Sequence, residues 1–196
     1  MRNPEKTKSH ILNTSANLFN KHGYKATSLS DITNATGFTK GAIYKHFKNK
    51  EDLEQQALRS LNKRMFSTLT INIKQATDFI SRMNVVFDFF ENYLVDPPFE
   101  GGCPLLNSAI ESDDANLVLR QQSFGMLVNL KSSIKRIIEQ GIKHKQIKAD
   151  INTEQLINVY IATLEGAVMM SKLERDTVAI TNCIDFLKKY NLSISI

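Results

Sequence analysis

The stretch TSLSDITNATGFTKGAIYKHFKNKEDL, residues 27–53, indicates the fold more clearly than any other part of the chain. Ser28 and Asp31 stand three residues apart before an apolar repeat, which predicts an N-cap and a capping box at the start of a helix. Gly37 predicts the end of that helix, because glycine adopts the left-handed conformation of a sharp turn at little cost. The pattern therefore predicts a short helix followed by a tight turn.

A second short helix follows this turn and has one apolar and one basic side. Thr39 is its predicted N-cap, and Ala42, Ile43 and Phe47 are expected to point inward. The residues left facing outward are mostly basic or small: Lys40, Gly41, Tyr44, Lys45 and His46. Such a side suits a helix that lies in the major groove of DNA. Asn49 is expected to cap a third helix.

The first 50 residues are strongly basic. They contain nine Lys or Arg and two Asp or Glu, whereas residues 51–196 contain 16 basic and 18 acidic residues. A basic segment beside a nearly neutral remainder indicates a nucleic-acid-binding domain with a separate partner domain. The alternative is a solvated basic surface without a binding role. Lys50 lies in the first turn of the third helix, where a cation opposes the helix dipole unless a phosphate lies nearby.

Residues 27–53 resemble the DNA-binding domain of the TetR family of transcriptional regulators. The matching residues keep a fixed spacing: Thr27, Asp31-Ile32, Thr36-Gly37, Thr39-Lys40-Gly41, Ile43-Tyr44, His46-Phe47 and Lys50-Glu51-Asp52-Leu53. The resemblance implies that Tyr44, His46 and Lys50 contact phosphates of a double-stranded DNA operator. It also implies that Thr39, Lys40, Gly41 and Lys45 lie nearest the base edges. Thr27 and Ser28, at the start of the first helix of the pair, are expected to reach a phosphate with hydroxyl and backbone N–H groups.

The rest of the chain predicts an all-α fold. A helix over residues 5–22 completes a three-helix core with the helix-turn-helix pair. Further helices are expected at about residues 50–70, 75–94, 104–111 and 115–143, from residue 153 onward, and at about 177–190, with a loop at 96–104 that holds three of the four prolines. We therefore expect an N-terminal three-helix DNA-binding domain at residues 1–49. A helical-bundle ligand-binding and dimerisation domain follows at residues 50–196.

The last two predicted helices are apolar on more than one side, and Gly166 and Ala167 would let another helix approach closely. They are either central core helices or, as the resemblance implies, the four-helix interface of a homodimer. Two heads related by a two-fold axis would contact half-sites about 34–36 Å apart. In the TetR family, a small-molecule effector bound in the second domain typically changes the spacing of the heads and releases a repressor from its operator.

If the resemblance extends to the second domain, aromatic, methionine and polar side chains there line an effector pocket. The candidates are Phe87, Phe90, Tyr93, Asn107, Glu111, Phe124, Met126, Tyr160, Glu165, Met169 and Met170. Phe and Met at helical spacing more often form core than pocket, so core packing is the alternative for the apolar members of this set.

The two cysteines, Cys103 and Cys183, are too few for a disulfide framework or a cysteine-based metal site. Cys183 is expected in the core. Cys103 lies in a Gly-Gly-Cys-Pro loop beside a predicted helix start, where a thiolate could be stabilised. A redox- or electrophile-sensing regulator of the same fold is therefore an alternative to a loop thiol without a function.

Other classes of function fit the sequence less well. It contains no Gly-rich phosphate loop, metal-ligand cluster or paired nucleophile and base, so we predict neither an enzyme nor a metal or cofactor site. An all-helical interaction module without DNA binding would leave the basic head unexplained. No apolar run approaches the roughly 20 residues of a membrane span, and the N-terminus has no hydrophobic signal segment, which predicts a cytoplasmic protein.

Overall fold

The computed structural model describes residues 3–112 and 116–196, and this part of the chain forms nine α-helices. They are α1 (Pro4–His22), α2 (Leu29–Thr36), α3 (Lys40–Tyr44), α4 (Lys50–Gln75), α5 (Phe79–Val95), α6 (Pro104–Ser112), α7 (Leu117–Lys143), α8 (Thr153–Glu174) and α9 (Val178–Ile194). An isolated antiparallel bridge joins Ile147 to Ser195. The predicted all-α class is confirmed. The predicted start of the long seventh helix, at Ala115, lies outside the described residues.

The boundary between α4 and α5 differs from the predicted one, which ended one helix near residue 70 and began the next at residue 75. A capping box explains where α5 begins. The Ser81 N–H donates to Asp78 Oδ1 at 2.9 Å, and the Asp78 N–H donates to Ser81 Oγ at 3.2 Å. This pair fixes the first turn of α5 at Phe79, and α4 ends at Gln75.

The helices group into two compact units. The first comprises Met1–Met65 and Phe99–Met126, and the second comprises Phe66–Pro98 and Leu127–Ile196. Helix α6 and the beginning of α7 therefore pack with the N-terminal helices, although the sequence analysis assigned them to the second domain. The functional division at residue 49 remains a prediction.

The core of the first unit forms around the predicted three-helix head. Ile11 and Phe19 of α1, Ile32 of α2 and Ile43 of α3 are fully buried. The ring of Tyr24 stacks on Phe19 with 5.2 Å between centroids. Each fully buried side chain of this size contributes about 1.5–3 kcal/mol through removal from water. The short helices α2 and α3 thus depend on α1 for their stability.

In the second unit α8 packs against both α5 and α9. Tyr160 of α8 is fully buried; its ring lies 6.0 Å from that of Phe87, and its hydroxyl donates to Asn191 Oδ1. By length and composition α8 could cross a membrane, since its most apolar window has a mean hydropathy of 1.2. Half of that window is buried inside the fold, as is common for a core helix of a soluble protein.

Candidate nucleic-acid interface

Local hydrogen bonds position the helix-turn-helix pair as predicted. Ser28 Oγ accepts from the Asp31 N–H at 3.2 Å, and the Ser28 N–H donates to Asp31 Oδ2 at 2.7 Å, which completes the predicted capping box. The Ser28 hydroxyl also donates to Asp31 Oδ2 at 2.6 Å, and this bond together with that of the Ser28 N–H lowers the pKa of Asp31. Gly37 ends α2 with a left-handed φ of 69°, and Thr39 Oγ1 accepts from the Ala42 N–H at 3.3 Å at the start of α3. The predicted caps of both helices are confirmed.

Helix α3 separates a buried side from an open basic side. Ile43 and Phe47 are buried, Ala42 and His46 are half-buried, and the exposed residues are Thr39, Lys40, Gly41, Tyr44 and Lys45. The ammonium of Lys40 lies 5.9 Å from the centroid of the Tyr44 ring. Among the described residues, and apart from its own helical neighbours, no heavy atom lies within 4 Å of a Cβ built on Gly41. The structure thus gathers six of the nine predicted DNA contacts in one accessible segment: Thr39, Lys40, Gly41, Tyr44, Lys45 and His46.

Lys50, at the start of α4, lies close to the three N-terminal helices, but its ammonium is already bound to other protein groups. Asn49 Oδ1 accepts from the Asp52 N–H at 2.8 Å, which confirms the predicted cap. Lys50 Nζ donates to the Tyr24 carbonyl at 2.8 Å and pairs with Glu54 at 3.1 Å. Burial raises the pKa of Glu54, and Lys50 opposes that rise. An ammonium has three N–H donors, so these two contacts leave one for a phosphate.

Thr27 and Ser28 have different environments. Ser28 is exposed at the start of α2, whereas Thr27 is buried. The Thr27 hydroxyl and backbone N–H both donate to the Gly23 carbonyl, at 2.7 Å and 3.1 Å. The structure therefore uses the donors of Thr27 inside the turn between α1 and α2. A phosphate contact at Thr27 stays a prediction that would require these bonds to rearrange.

Lys8 of α1 is a further cation near α3, outside the set of predicted DNA contacts. Its ammonium lies 5.9 Å from the centroid of the ring of Phe47, three residues after the end of α3. Lys8 and Phe47 meet only through the packing of α1 against the helix-turn-helix pair. No local motif marks this contact, and the basic composition of the first 50 residues was the one sequence signal for it.

The predicted effector residues of the second domain do not share one environment. Five are buried: Phe87, Phe90, Tyr93, Met126 and Tyr160. Phe124, Met169 and Met170 are exposed, and Glu165 is buried in α8. The five buried aromatic and methionine side chains are packed in the core, which agrees with the alternative of core packing. Their contact with an effector remains a prediction.

Asn107 and Glu111 of α6, the other two predicted effector residues, direct their polar atoms toward α1. The Asn107 amide donates to the Asn20 carbonyl at 2.9 Å and to the Gly101 carbonyl at 3.0 Å. The Glu111 carboxylate accepts from the backbone N–H groups that follow the end of α1, those of residues 24 and 25. The contacts with residues 20, 24 and 25 span more than 80 residues of sequence, which explains why no local pattern indicated them.

Three cavities of the second unit are lined by other residues than the predicted effector set. The largest, about 610 Å³, lies between the end of α4, α5 and the following loop; Asn72, Asp88, Phe89 and Asp96 are among its lining residues. A cavity of about 350 Å³ lies between α7 and α8, and one of about 280 Å³ lies between α8 and α9.

Cys183 differs from its predicted environment, whereas Cys103 directly precedes α6, as predicted. Cys103 is buried, with 1% of its surface exposed, and Cys183 is half-buried rather than part of the core. A buried thiol is not accessible to an oxidant or electrophile in solution, so the position of Cys103 gives no support to a reactive thiol.

Comparisons with known proteins agree with the arrangement of the helices. Residues 11–57 match the family of bacterial regulatory proteins called tetR, and residues 80–187 match the tetracyclin repressor-like C-terminal domain. A TetR transcriptional regulator from Chloroflexus aurantiacus J-10-fl, known from a crystal structure, is 31% identical in sequence to this chain. The two structures superpose with a TM-score of 0.94, and the match covers 100% of this chain and 98% of that chain. The HTH-type transcriptional repressor DhaR of Mycobacterium sp. (strain GP1) is 22% identical over 169 residues, 86% of this chain and 84% of that relative.

Proposed function

This chain belongs to the TetR family of transcriptional regulators, and we propose that it acts as a homodimeric repressor of a specific DNA operator. The observation that carries the proposal is the open basic side of α3, where Lys40, Tyr44 and Lys45 are exposed above the buried Ile43. In this proposal Thr39, Lys40, Gly41 and Lys45 contact base edges and determine the sequence preference. Tyr44, His46 and Lys50 contact phosphates, which supply most of the affinity.

The outer side of α8 and α9 supports dimerisation. It exposes a set of large apolar side chains: Val159, Met169, Met170, Leu173, Val178, Phe186 and Tyr190. Gly166 lies on the same side of α8 as Met169 and Met170, three and four residues along, so a partner helix could approach closely there. Contiguous exposed apolar side chains on two adjacent helices are typical of an interface. We infer that a second copy of the chain covers them.

The proposed repressor is released by a small-molecule effector bound in the second domain. Such an effector must bind the released conformation more tightly than the DNA-bound one, since a ligand with equal affinity for both shifts no equilibrium. The cavity of about 610 Å³ beside α5 has a volume within the range of about 300–1,000 Å³ that is usual for small-molecule sites. It is therefore the first place to look for an effector.

The test compares single substitutions on and away from α3. Tyr44→Ala and Lys45→Ala are each expected to weaken operator binding by roughly 5- to 150-fold, by loss of one phosphate or base contact of about 1–3 kcal/mol. Lys74→Ala removes an exposed lysine at the end of α4 and is the matched control, with unchanged binding expected. Fluorescence anisotropy with a labelled duplex measures the affinity, and circular dichroism checks the fold. Operator binding by both α3 variants at wild-type strength would contradict the proposal.

A further inference from the structure

The turn between α1 and α2 is held from both sides by charged groups. The backbone N–H groups of Tyr24 and Lys25 both donate to the Glu111 carboxylate, at 2.7 Å and 2.5 Å. On the other side, the Tyr24 carbonyl accepts from Lys50 Nζ at 2.8 Å. An anion from α6 therefore binds the donors of this turn, and a cation from α4 binds its acceptor.

This turn determines where α2 begins. The Thr27 hydroxyl and N–H bind the Gly23 carbonyl, and the next residue, Ser28, caps α2. Tyr24 is itself fixed by its stack on Phe19 in the core. Because α3 follows α2 after a single tight turn at Gly37, a shift of the Tyr24–Lys25 segment would move the entire DNA-contacting surface.

The end of α1 and the loop before α6 fix the position from which Glu111 acts. The Asn107 amide donates to the Asn20 carbonyl, and the Asn20 amide donates to the Gly102 carbonyl at 2.9 Å. A Cβ on Gly101 would lie 2.3 Å from the Asn20 carbonyl oxygen, so this loop tolerates no side chain at that position. The close packing leaves α6, and with it Glu111, little freedom to move relative to α1.

We propose that Glu111 is a positioning residue for DNA binding, which holds the Tyr24–Lys25 turn and thereby sets the orientation of α2 and α3. This inference rests on the proposed DNA-binding function. The two N–H groups donate to different oxygens of the carboxylate, that of Tyr24 to Oε2 and that of Lys25 to Oε1. A glutamine offers one oxygen and an NH₂ group, so one of the two backbone N–H groups would face another donor.

The direction of the effect distinguishes positioning from electrostatics. DNA is a polyanion, so removing a negative charge from the head should by electrostatics alone strengthen binding to every duplex. Loss of positioning should weaken binding to the operator, because base contacts depend on orientation, while binding to unrelated DNA stays the same or becomes tighter. Glu111→Gln therefore changes operator affinity in opposite directions under the two accounts.

The experiment uses the full-length protein and two duplexes of equal length: one that the wild-type protein selects from random-sequence DNA, and one with the same bases scrambled. We expect Glu111→Gln to weaken binding to the selected duplex about tenfold, the usual effect of losing a hydrogen bond to a charged group. Binding to the scrambled duplex should not weaken. Glu139→Gln, at an exposed glutamate of α7 that pairs with Lys135, is the matched control and should change neither affinity.

Amide hydrogen exchange gives a second measurement that is independent of DNA. In Glu111→Gln the N–H groups of Tyr24 and Lys25 should exchange faster, while those of α8 and α9 keep the wild-type rates. Wild-type or stronger affinity of Glu111→Gln for the selected duplex would overturn the positioning role. If Glu111→Gln does not fold, Glu111→Asp replaces it, since the shorter side chain keeps the charge and both oxygens. Faster exchange at Tyr24 and Lys25 in that variant, with wild-type operator affinity, would also overturn the role.

The same data separate this inference from the function on which it rests. Sequence preference in the wild type with no loss in Glu111→Gln contradicts only the role of Glu111. A wild-type protein that binds the selected and scrambled duplexes equally contradicts operator recognition itself, and the positioning role with it.

Discussion

The basic side of α3 and the outer side of α8 and α9 are both exposed, but their chemistry is opposite. On α3 the exposed side chains include Lys40, Tyr44 and Lys45, which water solvates well. On α8 and α9 they include Leu173 and Phe186, which expose 77% and 64% of their surface. Exposed lysines cost a folded monomer little, whereas contiguous apolar side chains favour association. Under the proposed function, the basic side of α3 contacts DNA within each chain, whereas the outer side of α8 and α9 is covered by a second copy.

A substitution in the buried core between α5 and α8 should have the largest effect on stability. Phe87→Ala is expected to lower the free energy of unfolding by about 3–5 kcal/mol, because it opens a cavity beside Tyr160 in a closely packed core. Urea unfolding at a fixed protein concentration measures the change. Phe124→Ala, at a residue that exposes 65% of its surface, is the control, with an expected change below about 0.5 kcal/mol. A loss below 1 kcal/mol for Phe87→Ala would instead indicate that Phe87 lines a ligand pocket.

A change on the outer side of α8 should affect association rather than folding. In the described part of the chain, and apart from its own helical neighbours, no heavy atom lies within 4 Å of a Cβ built on Gly166, so Gly166→Arg should leave the folded chain intact. The arginine should prevent dimerisation and weaken operator binding about 100-fold, because the second half-site is no longer bound by a linked head. Analytical ultracentrifugation measures the mass.

Gly125→Arg is the matched control for that experiment, since Gly125 in α7 is an equally open helical glycine. It should keep the wild-type mass. A Gly166→Arg protein that remains dimeric would contradict the α8–α9 interface.

Lys8 tests how far the basic surface extends beyond α3. Lys8→Ala should weaken binding to operator and random duplexes by the same few-fold factor and reduce the slope of log K against log salt by about 1, as expected for one lost phosphate contact. Lys45→Ala should in addition alter the sequence preference. Titrations at several salt concentrations provide both quantities. A changed sequence preference in Lys8→Ala would mean that Lys8 contacts bases instead.

Glu54 should give the smallest effect, and that effect depends on pH. Burial raises the pKa of Glu54 above its ordinary value of 4.5. The Glu54 carboxylate therefore binds a proton more tightly in the folded state than in the unfolded state. Its contribution to stability is therefore full below the unfolded pKa and is lost as the pH rises through the folded pKa. Glu54→Gln should gain stability relative to the wild type between about pH 4 and pH 7. Urea unfolding at both pH values measures the free energy of unfolding of the two proteins. A stability of Glu54→Gln that falls relative to the wild type as the pH rises would contradict the direction of the pKa shift.

The head could be predicted from the sequence because its structure depends on local hydrogen bonds. The bonds of the Ser28–Asp31 capping box, of the left-handed Gly37 and of the caps at Thr39 and Asn49 all join residues three or four positions apart. Each residue type has few other ways to satisfy the backbone there. The bonds from Tyr24 and Lys25 to Glu111 join residues 87 and 86 positions apart. They depend on tertiary packing, which no local pattern contains.

The second unit was less predictable because its helices are apolar on several sides. Phe90 is buried and Met169 exposes 45% of its surface, yet both stand in apolar stripes at helical spacing. Composition alone does not distinguish a core from an interface when both bury apolar side chains. The start of α5 was also missed, since Asp78 was not identified as its cap.

The most direct test of the account is a titration of the wild-type protein against the DNA that flanks its own gene, at several salt concentrations. TetR-like regulators often control their own or adjacent genes, so the operator is expected there. The account predicts one site bound far more tightly than random DNA, with two-fold symmetry and one dimer per site. It also predicts an affinity that falls linearly in log K against log salt. Failure to bind any duplex at low salt would contradict the central claim that α3 is a DNA-contacting helix.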